Sequence, residues 1–426
     1  MSSILTNNGA MVALQTLKSI NKGLSDTQAI ISTGKSIANA KDNAALWSIS
    51  KVMESDVKGF KAISDSLSLG ESTVAVAQNG AETITDLLTQ IKGKIVASQE
   101  QNVDREKTQT DIAALRDQIG AVAGAAQFNG LNLLSNTSKT AGTGTVDVLS
   151  SLDRSSAGTV ASSNISVRKQ DLGTGASNIT GTALAAGSLG LSGAANTAAV
   201  TLTAAATPPT TSATIASTSA GAGYSIAITG GAGAYATGVN TTGVNAISYV
   251  ARDGDTAADV ANGLANAFNK YVEEAMGDNR GTVAATVSGT TITFTGSSTT
   301  GNNFGIQAQA YAEAGNTIGG GLADLADIDV STADGAESAL SSIEGLIATA
   351  IDSAAAFGSA RGRIETQSEF VSKLTDSLKS GIGSIVDADM EEASARLQAL
   401  QVQQQLGVQS LSIANQAPQS ILSLFR

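Results

Sequence analysis

The sequence predicts a mainly α protein with a β-rich insert: a long antiparallel coiled-coil rod made from both chain ends, carrying an outer α+β domain. Three observations predict it. From Leu340 to Ile385, the residues Leu340, Ile343, Ile347, Ala350, Ala354, Phe357, Arg361, Ile364, Ser368, Val371, Thr375, Leu378, Ile382 and Ile385 follow at spacings that alternate between three and four. Such a repeat averages about 3.5 residues per turn and keeps one seam aimed at a partner helix. No proline interrupts it, and a continuous helix there would be ~70 Å long, too long to bury its seam against itself. Near the other chain end, Phe60, Ile63, Leu67, Gly70, Val74, Ala77, Ala81, Ile84, Leu88, Ile91 and Ile95 show the same alternation. Between the seams the texture changes: residues 141–334 hold only 6 of the 25 Lys and Arg, and Ala, Gly, Ser and Thr dominate. Ordinary amphipathic helices in a globular bundle share part of this pattern, but a repeat sustained over several heptads favours the coiled coil.

The elements follow in order. Leu14, Leu17, Ile20 and Leu24 form a helical face. Ser32-Thr33-Gly34 breaks it, and helical composition resumes from Ala38 to Ile49 with the only Trp, Trp47. The first long seam fills residues 50–100. Asn102 to Asp104 make a turn, and residues 105–126 return as a helix with Ile112, Leu115, Ile119, Val122 and Ala126 on one face. Gln127-Phe128-Asn129-Gly130 ends it with turn chemistry, and Leu131, Leu133 and Leu134 follow as a short apolar plug. In the insert, strand-like runs appear at Asn164–Arg168, Ala198–Thr203, Tyr224–Thr229, Ala246–Ala251 and Thr282–Thr295, the last with a hairpin signal at Ser288-Gly289. Asp255 and Thr256 cap one clear helix, with Val260, Leu264, Phe268 and Val272 on one side. With aromatics at 3%, the insert is expected to be sparsely cored and exposed. Residues 175–245 have a composition that need not pack at all.

Asp387-Ala388-Asp389-Met390 marks a joint before a last helix. There Leu397, Leu400, Leu411 and Ala414 form one row, and Val402, Leu406 and Ile413 a second. Both termini are thus amphipathic helices with wide apolar faces. They could pair with each other, and much apolar surface would still remain, which marks an assembly surface. The rod seam is expected to run through Ile63, Leu67, Val74, Ile84, Leu88, Ile343, Ile347, Phe357, Ile364, Val371 and Leu378.

Composition removes several function classes. The chain has no Cys, so no disulfide framework or thiol chemistry, and no His to activate a serine or bind zinc. A net charge of −12 with few basic residues makes a poor nucleic-acid partner. No apolar run has the ~20 residues that would span a bilayer. Met1 to Ile20 has one basic residue, Lys18, and no compact apolar core, so no cleavable signal peptide is read there. Asp324, Asp327, Asp329 and Asp334 cluster, but calcium-loop spacing fails: counted from Asp327, Thr332 stands where Gly is needed and Ser338 where the bidentate Glu belongs. Solvated loop carboxylates are the default, and neither a metal nor a cofactor is expected. Arg361 on the seam reads equally as a salt bridge within the bundle or a contact between subunits.

The motifs resemble those of one family. Ser32-Thr33-Gly34, Ile37 and Ala40-Lys41-Asp42-Asn43-Ala44-Ala45 are similar to the N-terminal signature of bacterial flagellins, and Gln127-Phe128-Asn129-Gly130 to the family's T-x-F-N-G element. Ser384-Ile385-Val386-Asp387-Ala388-Asp389-Met390 and Ala414-Asn415-Gln416-Ala417-Pro418-Gln419-Ser420-Ile421-Leu422 resemble its R-I-x-D-A-D and A-N-Q-x-P-Q-x-V-L elements. Four motifs in the right order cover residues 1–140 and 335–426. The insert's helix and hairpin, Asp255–Phe268 and Val283–Phe294, also resemble a module of flagellins and hook-associated proteins. Arg361-Gly362-Arg363-Ile364 departs from the common Q-N-R-L, and Leu46-Trp47 from Gly-Leu. With the opening Ser3-Ile4-Leu5-Thr6-Asn7-Asn8, these resemble the flagellins of soil alphaproteobacteria.

The resemblance implies a non-enzymatic, extracellular subunit that self-assembles into the flagellar filament, the propeller for swimming, exported without a cleavable signal. Residues 1–45 and 387–426 would form the filament's inner tube, 46–140 and 335–386 the rod shell, and 141–334 the outer surface, with room for two subdomains. It implies as partners other copies of the chain, a hook–filament junction protein, a filament cap, and an export chaperone at the C-terminal helix. Host innate immune receptors join them: Ala29–Ser50, with Asp42, matches the segment a plant receptor recognises. Leu88–Gln99 matches the stretch that vertebrate sensing relies on, with Lys92, Gly93 and Lys94 where activating members carry Arg and Glu-Leu. The other reading within the lineage is a non-polymerising hook–filament junction protein or secreted adhesin.

Overall fold

The computed structural model describes residues 7–155, 159–181, 200–241 and 243–424. Its helices are α1 Asn8–Thr33, α2 Ala44–Ser98, α3 Arg105–Ala125, α4 Ala257–Met276, α5 Ala333–Val386 and α6 Met390–Leu424. The strands are β1 Gln127–Phe128, β2 Leu131–Asn132, β3 Thr145–Arg154, β4 Val160–Arg168, β5 Val200–Leu202, β6 Thr210–Thr214, β7 Gly223–Thr229, β8 Ser248–Val250, β9 Ala284–Ser288, β10 Thr291–Thr295 and β11 Phe304–Tyr311. Two compact units emerge: Met1–Asp65, Ser151–Ala161 and Ser368–Arg426 in one, Ser66–Ser150 and Ser162–Gln367 in the other. Ala198, with the low-complexity residues 182–199, lies outside the described residues.

The expected seam of α2 is buried almost throughout. Ile63, Leu67, Gly70, Val74, Ala77, Ala81, Ile84, Leu88, Ile91 and Ile95 are all inaccessible, and Phe60 is half-buried. A second row, Thr73, Gly80, Leu87 and Ser98, widens the face. The second unit supplies neighbours for both rows. α3 returns along α2 after a turn closed by Arg105, whose Nε donates to the Ser98 carbonyl at 2.8 Å, and Lys94 pairs with Asp111 at 2.5 Å. α5 runs antiparallel to α2 there, since Glu71 pairs with Arg361 at 3.6 Å and Lys92 pairs with Glu344. Leu134 packs where Gly80 leaves room; a Cβ on Gly80 would stand 2.8 Å from it.

α5 corrects the expected register. Ile343, Ala350, Phe357, Ile364 and Val371 are buried as the sequence reading has them. The alternate positions are not: Leu340, Ile347, Ala354, Arg361 and Ser368 are half-buried, and their preceding neighbours Ala339, Leu346, Ser353 and Ala360 are buried instead. Thr375, Leu378, Ile382 and Ile385 are also half-buried. The apolar stripe is wider than two rows, so hydrophobicity alone fits both phases. The inner phase falls mostly on short side chains, which let helices approach closely. Arg361 thereby leaves the seam and forms the surface-side ion pair with Glu71. α5 is also the one helix among the described residues long and apolar enough, by composition, to cross a membrane.

The insert is better cored than its composition suggests. β5-β11-β7-β8 form a four-stranded antiparallel sheet and β6-β10-β9 a three-stranded one, with α4 against both. All five tyrosines of the chain fall in this region. Tyr235 meets Phe304 edge-on at 5.8 Å and Phe268 meets Phe294 at 5.0 Å, all four rings buried. Around them Ile226, Ile228, Val260, Leu264, Val272 and Ile292 close the core. The few aromatics are concentrated at one place, and alanines fill the gaps between them. α4 starts in a capping box: Thr256 Oγ1 accepts from Asp259 N at 3.2 Å and Asp259 Oδ2 accepts from Thr256 N at 2.8 Å. Burial alone would raise the Asp259 pKa, but these bonds and Arg168 outweigh it and hold it low. Asn269 on α4 covers the open edge of β9, exchanging bonds of 2.7 and 2.9 Å with the Ala285 backbone, which blocks strand addition.

Where the insert's chain enters and leaves, backbone packs on backbone. Leu172 N donates to Leu134 O, Gly321 N to Asp171 O and Leu322 N to Gly173 O. A Cβ on Gly320 would lie 1.8 Å from the Gly173 carbonyl oxygen, so no other residue fits there. Arg252 closes this neck. It donates to Gly319 O at 2.9 Å and Tyr249 Oη at 2.8 Å, with Asp171 at 3.5 Å. Burial opposes its charge, but Tyr249, Asp171 and Asp255 outweigh that, and burial pushes the Tyr249 phenol well up.

Phe268→Ala should remove about 3–5 kcal/mol from the insert. Urea unfolding followed by the tyrosine near-ultraviolet signal should show the insert melting early, while the far-ultraviolet helical signal keeps its own transition.

Candidate assembly surface

The two chain ends lie side by side. Asn7 begins α1: its Oδ1 accepts from Ala10 N at 3.0 Å and its Nδ2 donates to Ala414 O at 2.7 Å. Gln404 donates to Asn21 Oδ1 at 2.7 Å. Gly23 faces Leu400 and Gly407 faces Leu17, with room for no more than a methyl group. Residue numbers rise along α1 as they fall along α6, so the pair is antiparallel. Leu17, Ile20, Leu24, Leu397, Leu400 and Leu411 are half-buried in it, whereas Leu14 stays exposed.

The joints at the base of the pair meet each other. α1 ends at Gly34 in the left-handed conformation, φ 68°. Ala388 N donates to Gly34 O at 3.0 Å and Ser36 N to Val386 O at 2.7 Å, making a short antiparallel bridge. Helix does not resume at Ala38 as composition suggests but at Ala44, because the Asp42 carboxylate accepts from Ala38 N and Asn39 N at 3.0 and 2.9 Å and folds the segment into a turn. Asn43 Oδ1 then accepts from Ala45 N and Leu46 N and starts α2. Asp389 Oδ1 does the same for Glu391 N and Glu392 N in α6. In the motifs these residues stand only as letters; the local signal of their capping role is an Asx residue just before a helical stretch.

Large apolar side chains remain outside, among uncharged polar ones such as Gln15, Gln401, Gln403 and Gln405. Met11 is 60%, Val12 64%, Leu406 55% and Ile413 69% exposed. At the start of α2, Leu46, Ile49 and Val52 are exposed too. No Asp, Glu, Lys or Arg occurs from Met1 to Leu17 or from Leu397 to Phe425. Burying this face therefore desolvates no charge. Lys92 and Lys94 are held by Glu344 and Asp111, and the Asp42 carboxylate by its own turn. In the acidic cluster, Asp324 and Asp327 sit 3.0 and 3.1 Å from Lys270. Burial and those two carboxylates raise the pKa of the nearby Glu274, against the pull of Lys270.

Profiles of the bacterial flagellin N-terminal helical region and C-terminal helical region match residues 4–139 and 340–425. Flagellin A and flagellin B of Rhizobium meliloti are each 36% identical, over the whole of this chain and the whole of their own. The chain belongs to the bacterial flagellin family. As a flagellin it is a structural subunit of the extracellular flagellar filament and not an enzyme. A flagellar hook associated protein-3 from Legionella pneumophila covers 79% of this chain and 98% of its own at 10% identity and a TM-score of 0.34. The junction-protein reading is not better supported than the filament subunit.

Replacing Asn43 or Asp389 by Ala in this flagellin should cost about 1 kcal/mol of helix-start stability each. Amide exchange should speed up at Ala45 and Leu46 in α2 for the first and at Glu391 and Glu392 in α6 for the second, and stay unchanged in α3 and α4.

Proposed function

We propose that the outward faces of α1 and α6 are the polymerising surface, with residues 1–45 and 387–426 in the filament's inner tube. The observation that carries this is the set of exposed apolar side chains on the α1–α6 pair, in the stretches up to Leu17 and from Leu397 that hold no charged side chain. Leu14, Leu406 and Ile413 contact neighbouring copies, while Leu17, Ile20, Leu24, Leu397, Leu400 and Leu411 hold the pair together. Contacts of this heterologous kind that do not close on themselves build an open helical filament. Residues 46–140 and 335–386 act as an antiparallel coiled-coil rod that stiffens each subunit, and residues 141–334 face the medium.

The same reading gives the partners. Other copies come first, then a hook–filament junction protein and a cap at the filament's two ends. An export chaperone covers the uncharged part of α6 before assembly. Host innate immune receptors are a further class of partner, met through the segments around Asp42 and around Lys92 and Lys94. With Lys92, Gly93 and Lys94 where activating members carry Arg and Glu-Leu, vertebrate receptor activation is weak or absent; a strong reporter-cell response to low doses of monomer would overturn this.

Removing Leu397–Arg426 should abolish growth from sheared filament seeds in electron micrographs. Ile413→Asp should do the same while amide protection of the α1–α6 pair persists. Filaments formed by either variant would show that this face is not the polymerising surface.

A further inference from the structure

Met11 stands in an unusual chemical setting. It lies in the charge-free stretch of α1, beside the charge-free stretch of α6, where Asn7 reaches Ala414. It is more exposed than the other described methionines: Met53 is half-buried, Met276 is 4% exposed, and Met390 is 41% exposed beside Asp389, Glu391 and Glu392. Its own backbone N–H is already spent on the Asn7 carbonyl at 3.0 Å. Val12 and Leu14 near it in sequence, and Leu406 and Ile413 of α6, are exposed and offer no hydrogen-bond donor, and the exposed side-chain amides on its own helix face are those of Asn8 and Gln15, three residues before it and four after.

We propose that Met11 is an oxidation site whose sulfoxide blocks addition of the subunit to a growing filament; this rests on the reading that the outward face of α1 becomes buried there. The oxidant is a peroxide. The thioether sulfur attacks one peroxide oxygen, the O–O bond breaks and an S–O bond forms. Sulfur is oxidised by two electrons, and hydrogen peroxide is reduced to water. A flexible apolar side chain becomes a polar acceptor. In water the sulfoxide is solvated at no loss. In an apolar contact it gives up that water for at most an amide of Asn8 or Gln15, which must be desolvated with it, and burying such polar groups costs free energy. In an assembled filament the same contact shields the sulfur, so free subunits are the vulnerable form.

The test uses full-length monomer treated with hydrogen peroxide until peptide mass spectrometry shows Met11 converted, then offered to sheared seeds. Elongation should fall about tenfold, the equivalent of one poorly satisfied buried polar group. Met11→Leu, treated identically, should elongate at its untreated rate. Treated wild-type monomer that grows normally overturns the proposal, as does treated Met11→Leu that stops growing, which would place the damage at another residue. Peroxide is also applied to finished filaments. Met11 should convert far more slowly there than in monomer. Equal rates would remove the reading that α1 is buried on assembly, and the proposal with it. Protection in filaments combined with normal growth of the sulfoxide monomer would remove the proposal alone.

Discussion

The two ends of the chain must lie side by side and run in opposite directions. In the unit that holds the termini this is fixed by Asn7 on Ala414, Asn21 on Gln404 and the bridge of Gly34 and Ser36 with Ala388 and Val386. In the other unit, Glu71 with Arg361 and Lys92 with Glu344 repeat the same antiparallel order between α2 and α5. These polar contacts are exposed or half-exposed and contribute little energy singly. They mark a register that the buried rows enforce. A side chain such as Ile63, Ile84 or Ile343 contributes about 1.5–3 kcal/mol on burial, and a slip of one residue would expose several at once.

Returning both ends to one place leaves a subunit whose apolar surface is only partly covered. α1 and α6 each satisfy one stripe against the other and keep a second stripe in water. Val402, Leu406, Val408 and Ile413 on α6, with Met11, Val12 and Leu14 on α1, would each gain on burial. Charges are absent from the same stretches, so the gain is opposed by the desolvation of uncharged polar groups such as Gln403 and Gln405 and by the entropy of association, and not by buried charge. A filament subunit needs this incompleteness. Its fold is stable enough to define the surface, and the surface is finished only by another copy.

The insert solves a different problem. Its sequence is poor in large side chains, and a domain of that kind is marginal unless the few it has are brought together. Tyr235, Phe268, Phe294 and Phe304 meet in pairs beneath α4, and the neck beneath them uses backbone in place of side chains, with Gly319, Gly320 and Gly321 packed on residues 171–177. Arg252 then satisfies the carbonyl of Gly319 that such close packing would otherwise strand. The cost is intolerance of change at those glycines.

Much of this was legible in the sequence. The seam of α2, the return helix α3, the capped helix α4 and the hairpin of β9 and β10 were all readable, because each depends on local periodicity or on a cap beside it. β11 is legible too, since Phe304, Ile306 and Ala308 alternate with Gly305, Gln307 and Gln309. β6 is not, as its Thr and Ser residues carry no apolar alternation. The sequence by itself determined that the chain ends are long helices with more apolar surface than one subunit can bury, because spacing and absent charge are properties of the chain. Only the tertiary structure decided which row of α5 is buried, where Arg361 goes, why Asp42 folds a turn and how a few aromatic rings make a core. Each of those is settled by a partner distant in sequence: a packed helix chooses between two equally apolar rows, and a core exists only where separate segments meet.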